Sequence, residues 1–218
     1  MAVVGVLGCL AASASANAST GTMLIGRGLY ELRGGYHDGE FLATPTGVLG
    51  LPDGVVFGTF CMEMTEAISA GNMYDAVLST AAIRGSSTTG SDPLSPKTAW
   101  LYYQYRTGAI VIDTGAKATD FQYAIWKLED EDTQAPGDWA TITWTAAAEV
   151  YYQQALASPW TDIGPVRVAN LGTSPEYANQ DVLALPEPAT MSLLGLGAAA
   201  MFYRRRKTEE VTESPRRP

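Results

Sequence analysis

No charged residue occurs between Met191 and Tyr203, and Arg204-Arg205-Arg206-Lys207 follows at once. A core helix ending on such a block would have to bury cations or break off abruptly, so the segment reads instead as a short membrane span. It falls short of the roughly 20 residues of a comfortable crossing, but a stretch beginning at Ala189 crosses if the arginines snorkel. The positive-inside rule then leaves residues 208–218 as a basic and polar cytoplasmic tail and places everything before the span outside. Any globular unit must therefore be built upstream of residue 185.

The other end removes a second segment. Met1 to Leu10 is apolar, and Ala11-Ala12-Ser13-Ala14-Ser15-Ala16-Asn17-Ala18 follows, which is the core and the small-residue cleavage pattern of a secretory signal peptide. Cleavage after Ala16 or Ala18 fits best, although the usual basic leader is missing; a lipoprotein site at Val6-Leu7-Gly8-Cys9 is the competing reading. The chain thus divides into residues 1–18 as signal peptide, 19–184 as body, 185–207 as sorting segment with its apolar helix, and 208–218 as tail. Export of the body leaves Cys61 as its sole cysteine, so no internal disulfide forms.

Charge excludes one large class of partners. Of 14 Lys/Arg and 23 Asp/Glu, residues 204–218 hold six basic and three acidic, so the remainder carries a net charge of −12. Such a body has no electrostatic footprint for nucleic acid. With 46% hydrophobic and 17% charged residues it has the composition of a folded domain, not of a disordered chain or a polytopic membrane protein.

Within the body, strand patterns come first: Thr22–Ile25, a Gly-rich turn through Gly34 to Gly39, Glu40–Ala43, Gly54–Met64 and a weaker Tyr74–Leu78. Helices follow. Ser95 caps one that opens on Pro96 and stops at Gly108; Thr119 is placed to cap a second, from Asp120 to about Glu131; a third spans about Thr145 to Ala157. Short strands near Val166–Val168 and Val182–Ala184 return the chain to the sheet. Strands, then helices, then strands predict an α+β fold.

The Pro186-Glu187-Pro188 segment, the apolar run and the cluster Arg204, Arg205 and Arg206 together resemble the PEP-CTERM sorting signal of Gram-negative exopolysaccharide producers. That resemblance implies an exosortase-type processing enzyme as a partner, transient insertion in the membrane, and removal of the hydrophobic tail. A second resemblance lies in the body. Phe60-Cys61-Met62-Glu63 and Phe121-Gln122-Tyr123-Ala124-Ile125-Trp126 resemble, in order, the paired signatures of bacterial thioester domains, which occur on surface adhesins. The resemblance implies a β-sandwich-like core with a helical subdomain. It also implies an internal thioester, formed when the Cys61 thiol displaces ammonia from the Gln122 carboxamide, that captures an amine-bearing surface or matrix polymer. Capture would be a single-use reaction, not turnover, and it needs neither cofactor nor metal.

The residues themselves leave alternatives open. A two-residue period groups Phe60, Met62 and Met64 on one face and Thr59, Cys61 and Glu63 on the other, so Cys61 is equally a small core hydrophobe and Glu63 a candidate proton acceptor beside it. With Thr119 as cap, Gln122 falls at the third helical position, where first-turn amides would stabilise an oxyanion; Thr119-x-x-Gln122 is equally a capping box. Trp126, one turn on, is placed to screen the bond from water. His37 with Cys61 as a thiol hydrolase, Glu129–Asp132 as a Ca²⁺ site or a solvated helix end, and a carbohydrate platform of Tyr102, Tyr103, Tyr105, Tyr151 and Tyr152 are weaker readings. A non-covalent structural or polysaccharide-binding matrix protein with the same tail is the alternative to a thioester protein.

Overall fold

A computed structural model describes residues 20–28, 39–64, 66–83, 91–131, 144–172 and 179–187. The signal peptide, the Gly34–Gly35 turn, His37, Pro188, the apolar run at 191–203 and Arg204 to Arg206 lie outside them. No helix among the described residues is long and apolar enough to cross a membrane.

Among the described residues, eight strands and three helices follow in the order β1 (Gly21–Arg27), β2 (Phe41–Thr46), β3 (Phe57–Thr59), β4 (Met73–Ser79), β5 (Ala81–Ala82), β6 (Asp92–Pro93), α1 (Pro96–Arg106), α2 (Gly115–Leu128), α3 (Ala146–Leu156), β7 (Arg167–Leu171) and β8 (Val182–Ala184). Alternation decides the inward face: Met23 and Ile25 of β1 and Phe41 and Ala43 of β2 are buried, with exposed Leu24 and half-buried Leu42 between them. Six strands form one antiparallel sheet in the order β3-β2-β1-β4-β7-β8, and β5 pairs with β6 alone.

The expected sandwich is replaced by a single sheet that nearly closes. Its two outer strands meet just beyond β3: Cys61 bridges Val182, the Met62 N–H donates to the Asp181 carbonyl (3.0 Å) and the Leu183 N–H donates to the Phe60 carbonyl (3.0 Å). Joining the edges removes two rows of open backbone donors and acceptors, which an unpaired sheet would leave exposed. The mixed strand and helix content stands; the two-sheet arrangement does not.

Closure creates two apolar clusters. One, enclosed by the sheet, holds Met23, Ile25, Phe41, Phe57, Cys61, Met64, Leu171, Val182 and, from α2, Trp126. The other lies between sheet and helices and gathers Phe60, Met62, Leu101, Tyr102, Phe121, Ile125, Val168 and Leu183. Phe60 and Met62 thus face away from Cys61 as the period requires. Met64 is the correction: it joins the Cys61 cluster because the strand pairing ends at Met62 and the period with it.

Each helix starts where a side-chain oxygen can replace a missing carbonyl. Ser95 accepts from the Lys97 N–H (3.2 Å) with Pro96 behind it, and Thr145 accepts from the Ala148 N–H (2.9 Å). The α2 cap is Thr114, which accepts from the Lys117 N–H (3.2 Å). Thr119 is instead five residues into the helix, its hydroxyl donating to the Gly115 carbonyl (3.0 Å). Gly115 opens the helix despite its entropic cost because Thr114 supplies the cap and Ala118, Phe121 and Ile125 supply the buried face.

Candidate functional site

Cys61 and Gln122 meet at the junction of the two clusters, both buried. The Cys61 N–H donates to Gln122 Oε1 (2.9 Å), and Gln122 Nε2 donates to the Cys61 carbonyl (2.8 Å). These two bonds close a ring in which the Gln122 amide carbon stands opposite Cys61 Cα. Both strand and helix are needed for it: the seam between β3 and β8 fixes the Cys61 backbone, and α2 carries Gln122 to it.

The longer helix changes the electrostatics. Gln122 is two turns inside α2, so the free amides of the first turn are out of play, and the donor on its carbonyl oxygen is the Cys61 N–H. A donor already on the oxygen where negative charge develops is what an acyl-transfer step requires. Trp126, one turn beyond Gln122, belongs to the Cys61 cluster; its ring stacks on Tyr123 at 5.8 Å, and its indole N–H is buried with no partner among the described residues.

Glu63 is not placed as a base. Its Oε2 accepts from the Asp181 N–H (3.2 Å), while Gln180 Nε2 donates to the Glu63 carbonyl. Burial first, and then the neighbouring Asp181 and Glu66 carboxylates, raise its pKa well above the ordinary carboxylate range. A carboxyl shifted toward its neutral form, with one oxygen already held by a backbone amide, is poorly placed to take up a proton.

The acidic run beyond α2 is another correction. Glu129 is buried and accepts from the Ser95 N–H through both oxygens (3.2 and 3.3 Å), tying the end of α2 to the start of α1; Glu131 is buried and its Oε2 accepts from the Met64 N–H (3.3 Å). These carboxyls are tethers for backbone donors, not a solvated helix end, and no group of three metal-ligating side chains occurs among the described residues. The tyrosines are core: Tyr102 is fully buried, and Tyr103, Tyr105, Tyr151 and Tyr152 are half-buried against the same cluster.

These carboxyls set a pH dependence. Burial raises Glu129 from 4.5 to about 7, and Glu131 and Glu63 shift the same way. A carboxyl whose folded pKa exceeds its unfolded value contributes stability below the unfolded pKa and loses it as pH rises through the folded one. The body should therefore be more stable at about pH 5 than at about pH 8, with Glu129 alone accounting for on the order of 3 kcal/mol of the difference. Urea titrations at both pH values check this, and Glu129→Gln should flatten the profile. Glu63→Gln should raise the midpoint at the higher pH and leave it unchanged at the lower.

Asp181 went unnoticed in the sequence, where nothing distinguishes it from any acidic residue before a strand. It is fully buried. Its Oδ2 accepts from the Ile83 N–H (2.7 Å) and from Asn170 Nδ2 (2.8 Å), its Oδ1 accepts from the Leu171 N–H (2.9 Å), and its carbonyl takes part in the seam.

Comparison with known proteins adds the following. Residues 184–207 match the PEP-CTERM protein-sorting motif. No curated protein matches the chain. Among solved structures, the N-terminal thioester domain of surface protein from Clostridium perfringens is similar at 12% identity and a TM-score of 0.46, over 77% of this chain and 98% of that one. The chain thus carries a PEP-CTERM sorting motif, which implies an exported protein sorted to the cell surface by an exosortase.

Proposed function

We propose that the body forms a thioester between Cys61 and Gln122 and uses it to capture amine-bearing surface or matrix polymers. The observation that carries this reading is the double hydrogen bond between the buried Gln122 carboxamide and the Cys61 backbone, with Trp126 in the same apolar cluster as Cys61. In the forming step the Cys61 thiolate adds to the Gln122 amide carbon while the Cys61 N–H holds the oxygen. The carbon–nitrogen bond then breaks, and ammonia leaves with the thiol proton. In the capture step an amine adds to the same carbon, the carbon–sulfur bond breaks, and the sulfur takes up the proton the amine gives up. The new amide is the product, and the protein is consumed in making it.

In this reading the sorting segment spans the membrane until the tail is removed, with Arg204 to Arg206 on the cytoplasmic side. C-terminal sequencing of protein recovered from the cell surface should find residues 191–218 missing; soluble surface protein that retains them would exclude tail removal.

One observation favours a second reading. The same two hydrogen bonds let Gln122 act as a strap, joining a helix to a sheet seam with no chemistry, as suits a structural or polysaccharide-binding matrix protein. Intact mass separates the two. The body without residues 1–18 and without the tail should weigh less than its sequence by one ammonia, and Cys61→Ala and Gln122→Ala should each restore the full mass. An unmodified mass with an alkylatable Cys61 in the folded protein establishes the strap and excludes the thioester. Glu63→Gln should leave the rate of capture unchanged, since that carboxyl is engaged with Asp181.

A further inference from the structure

Three large apolar side chains stand out of the loop between β2 and β3: Leu49 is 80% exposed, Val55 50% and Val56 56%. The loop is built to hold them there. Val48 and Leu51 anchor it in the core, the Leu51 N–H donates to the Val48 carbonyl (3.0 Å), the Gly54 N–H donates to the Pro45 carbonyl (2.8 Å), and the Gly47 N–H donates to Asp53 Oδ1 (2.7 Å).

The loop also marks one end of the body, the end from which the chain departs. A Cβ added to Gly50 would lie 3.9 Å from Pro186 Cβ. The seam points the same way: Phe60 faces Leu183 and Cys61 faces Val182 in antiparallel sense, so the chain leaving β8 runs back in the direction of Phe57. From Glu187 to Met191, where the apolar run begins, the chain reaches at most about 14 Å even when fully extended. If the tail sits in a bilayer, this end of the body cannot stand off from it.

We propose that Leu49, Val55 and Val56 form a membrane-resting foot that seats the unprocessed body on the lipid–water interface while its tail is inserted. The partner is the bilayer surface that holds the tail, and this rests on the membrane-inserted reading of that tail. Tethering supplies the effective concentration that three side chains could not reach alone. Asp53 and exposed Glu187 flank the patch, so the match is to zwitterionic lipid and not to an anionic surface. Tail removal frees the foot together with the body.

The test uses the full chain in phosphatidylcholine nanodiscs, in a Cys61→Ala background, with an environment-sensitive fluorophore on Leu49→Cys or, at the opposite end of the β1–β4 pair, on Asn72→Cys. Co-elution of protein with nanodiscs reads the tail independently. The expected result is a blue shift and protection from iodide at position 49, no change at 72, and no change at either position for a body ending at Glu187. Hydrogen exchange of the unlabelled chain should slow severalfold over residues 49–56, and replacing Leu49, Val55 and Val56 together by Asp should abolish the slowing without releasing the chain from the discs. Co-elution with a water-exposed position 49 overturns the foot and leaves the tail reading intact. Failure to co-elute overturns both. Protection that arises only in membranes containing the processing enzyme assigns the patch to that enzyme and overturns the lipid assignment.

Discussion

Asp181→Ala should cost several kcal/mol, enough to unfold much of the population at 25 °C. Three buried donors, the Ile83 and Leu171 amides and the Asn170 side chain, lose their acceptor at once. Leaving a buried donor unsatisfied costs about 1–3 kcal/mol each, against a total domain stability of about 5–15 kcal/mol. Loss of the Asp181 charge also relieves Glu63, which offsets part of the penalty at high pH. Asp181→Asn keeps one oxygen acceptor and should fall between wild type and Ala. Denaturant titration orders the three proteins; an Ala variant within 1 kcal/mol of wild type would show that the Asp181 bonds add no net stability.

The second large effect is chemical and all-or-none. Methylamine should add to Gln122 and release one thiol per molecule, and Cys61→Ala should abolish both. Burial of both partners makes this slow in the folded state, because an amine enters only when the site opens locally. The rate should therefore rise with low denaturant, well before global unfolding. Trp126→Ala should accelerate both amine capture and hydrolysis by removing cover, whereas Trp126→Phe keeps the cover, removes an indole N–H that has no partner among the described residues, and should leave stability little changed or improved. A thioester that resists amines until the whole domain unfolds would be a structural crosslink and not a capture device.

Much of this site was legible because the signals were local. The Cys61 and Gln122 segments each carry an aromatic neighbour and a fixed spacing, and Ser95-Pro96 and Thr145 name their helix starts directly. The α2 start was misplaced because Thr119-x-x-Gln122 imitates a capping box while Gly115 looks like a breaker; the buried face of α2, a tertiary fact, decided for Thr114. Closure of the sheet was illegible for a different reason. It rests on a few backbone bonds between residues far apart in sequence, beside a strand of only three residues, and no periodicity encodes such a pairing. Glu129 and Glu131 were misread likewise: a carboxylate that satisfies a backbone amide of another element looks, in sequence, like one bathed in water.

The short strand β8 has a mechanical meaning. It is the last described strand and runs into the sorting motif at residue 184, it lies between β7 and the extension of β3, and its Val182 is bridged to Cys61. Any traction on the C-terminal tail enters the body along β8 and loads the bonds on both of its sides together, so they resist in shear and not one by one. A slip of that strand carries Val182 past Cys61 and so shifts the backbone neighbour of the candidate site.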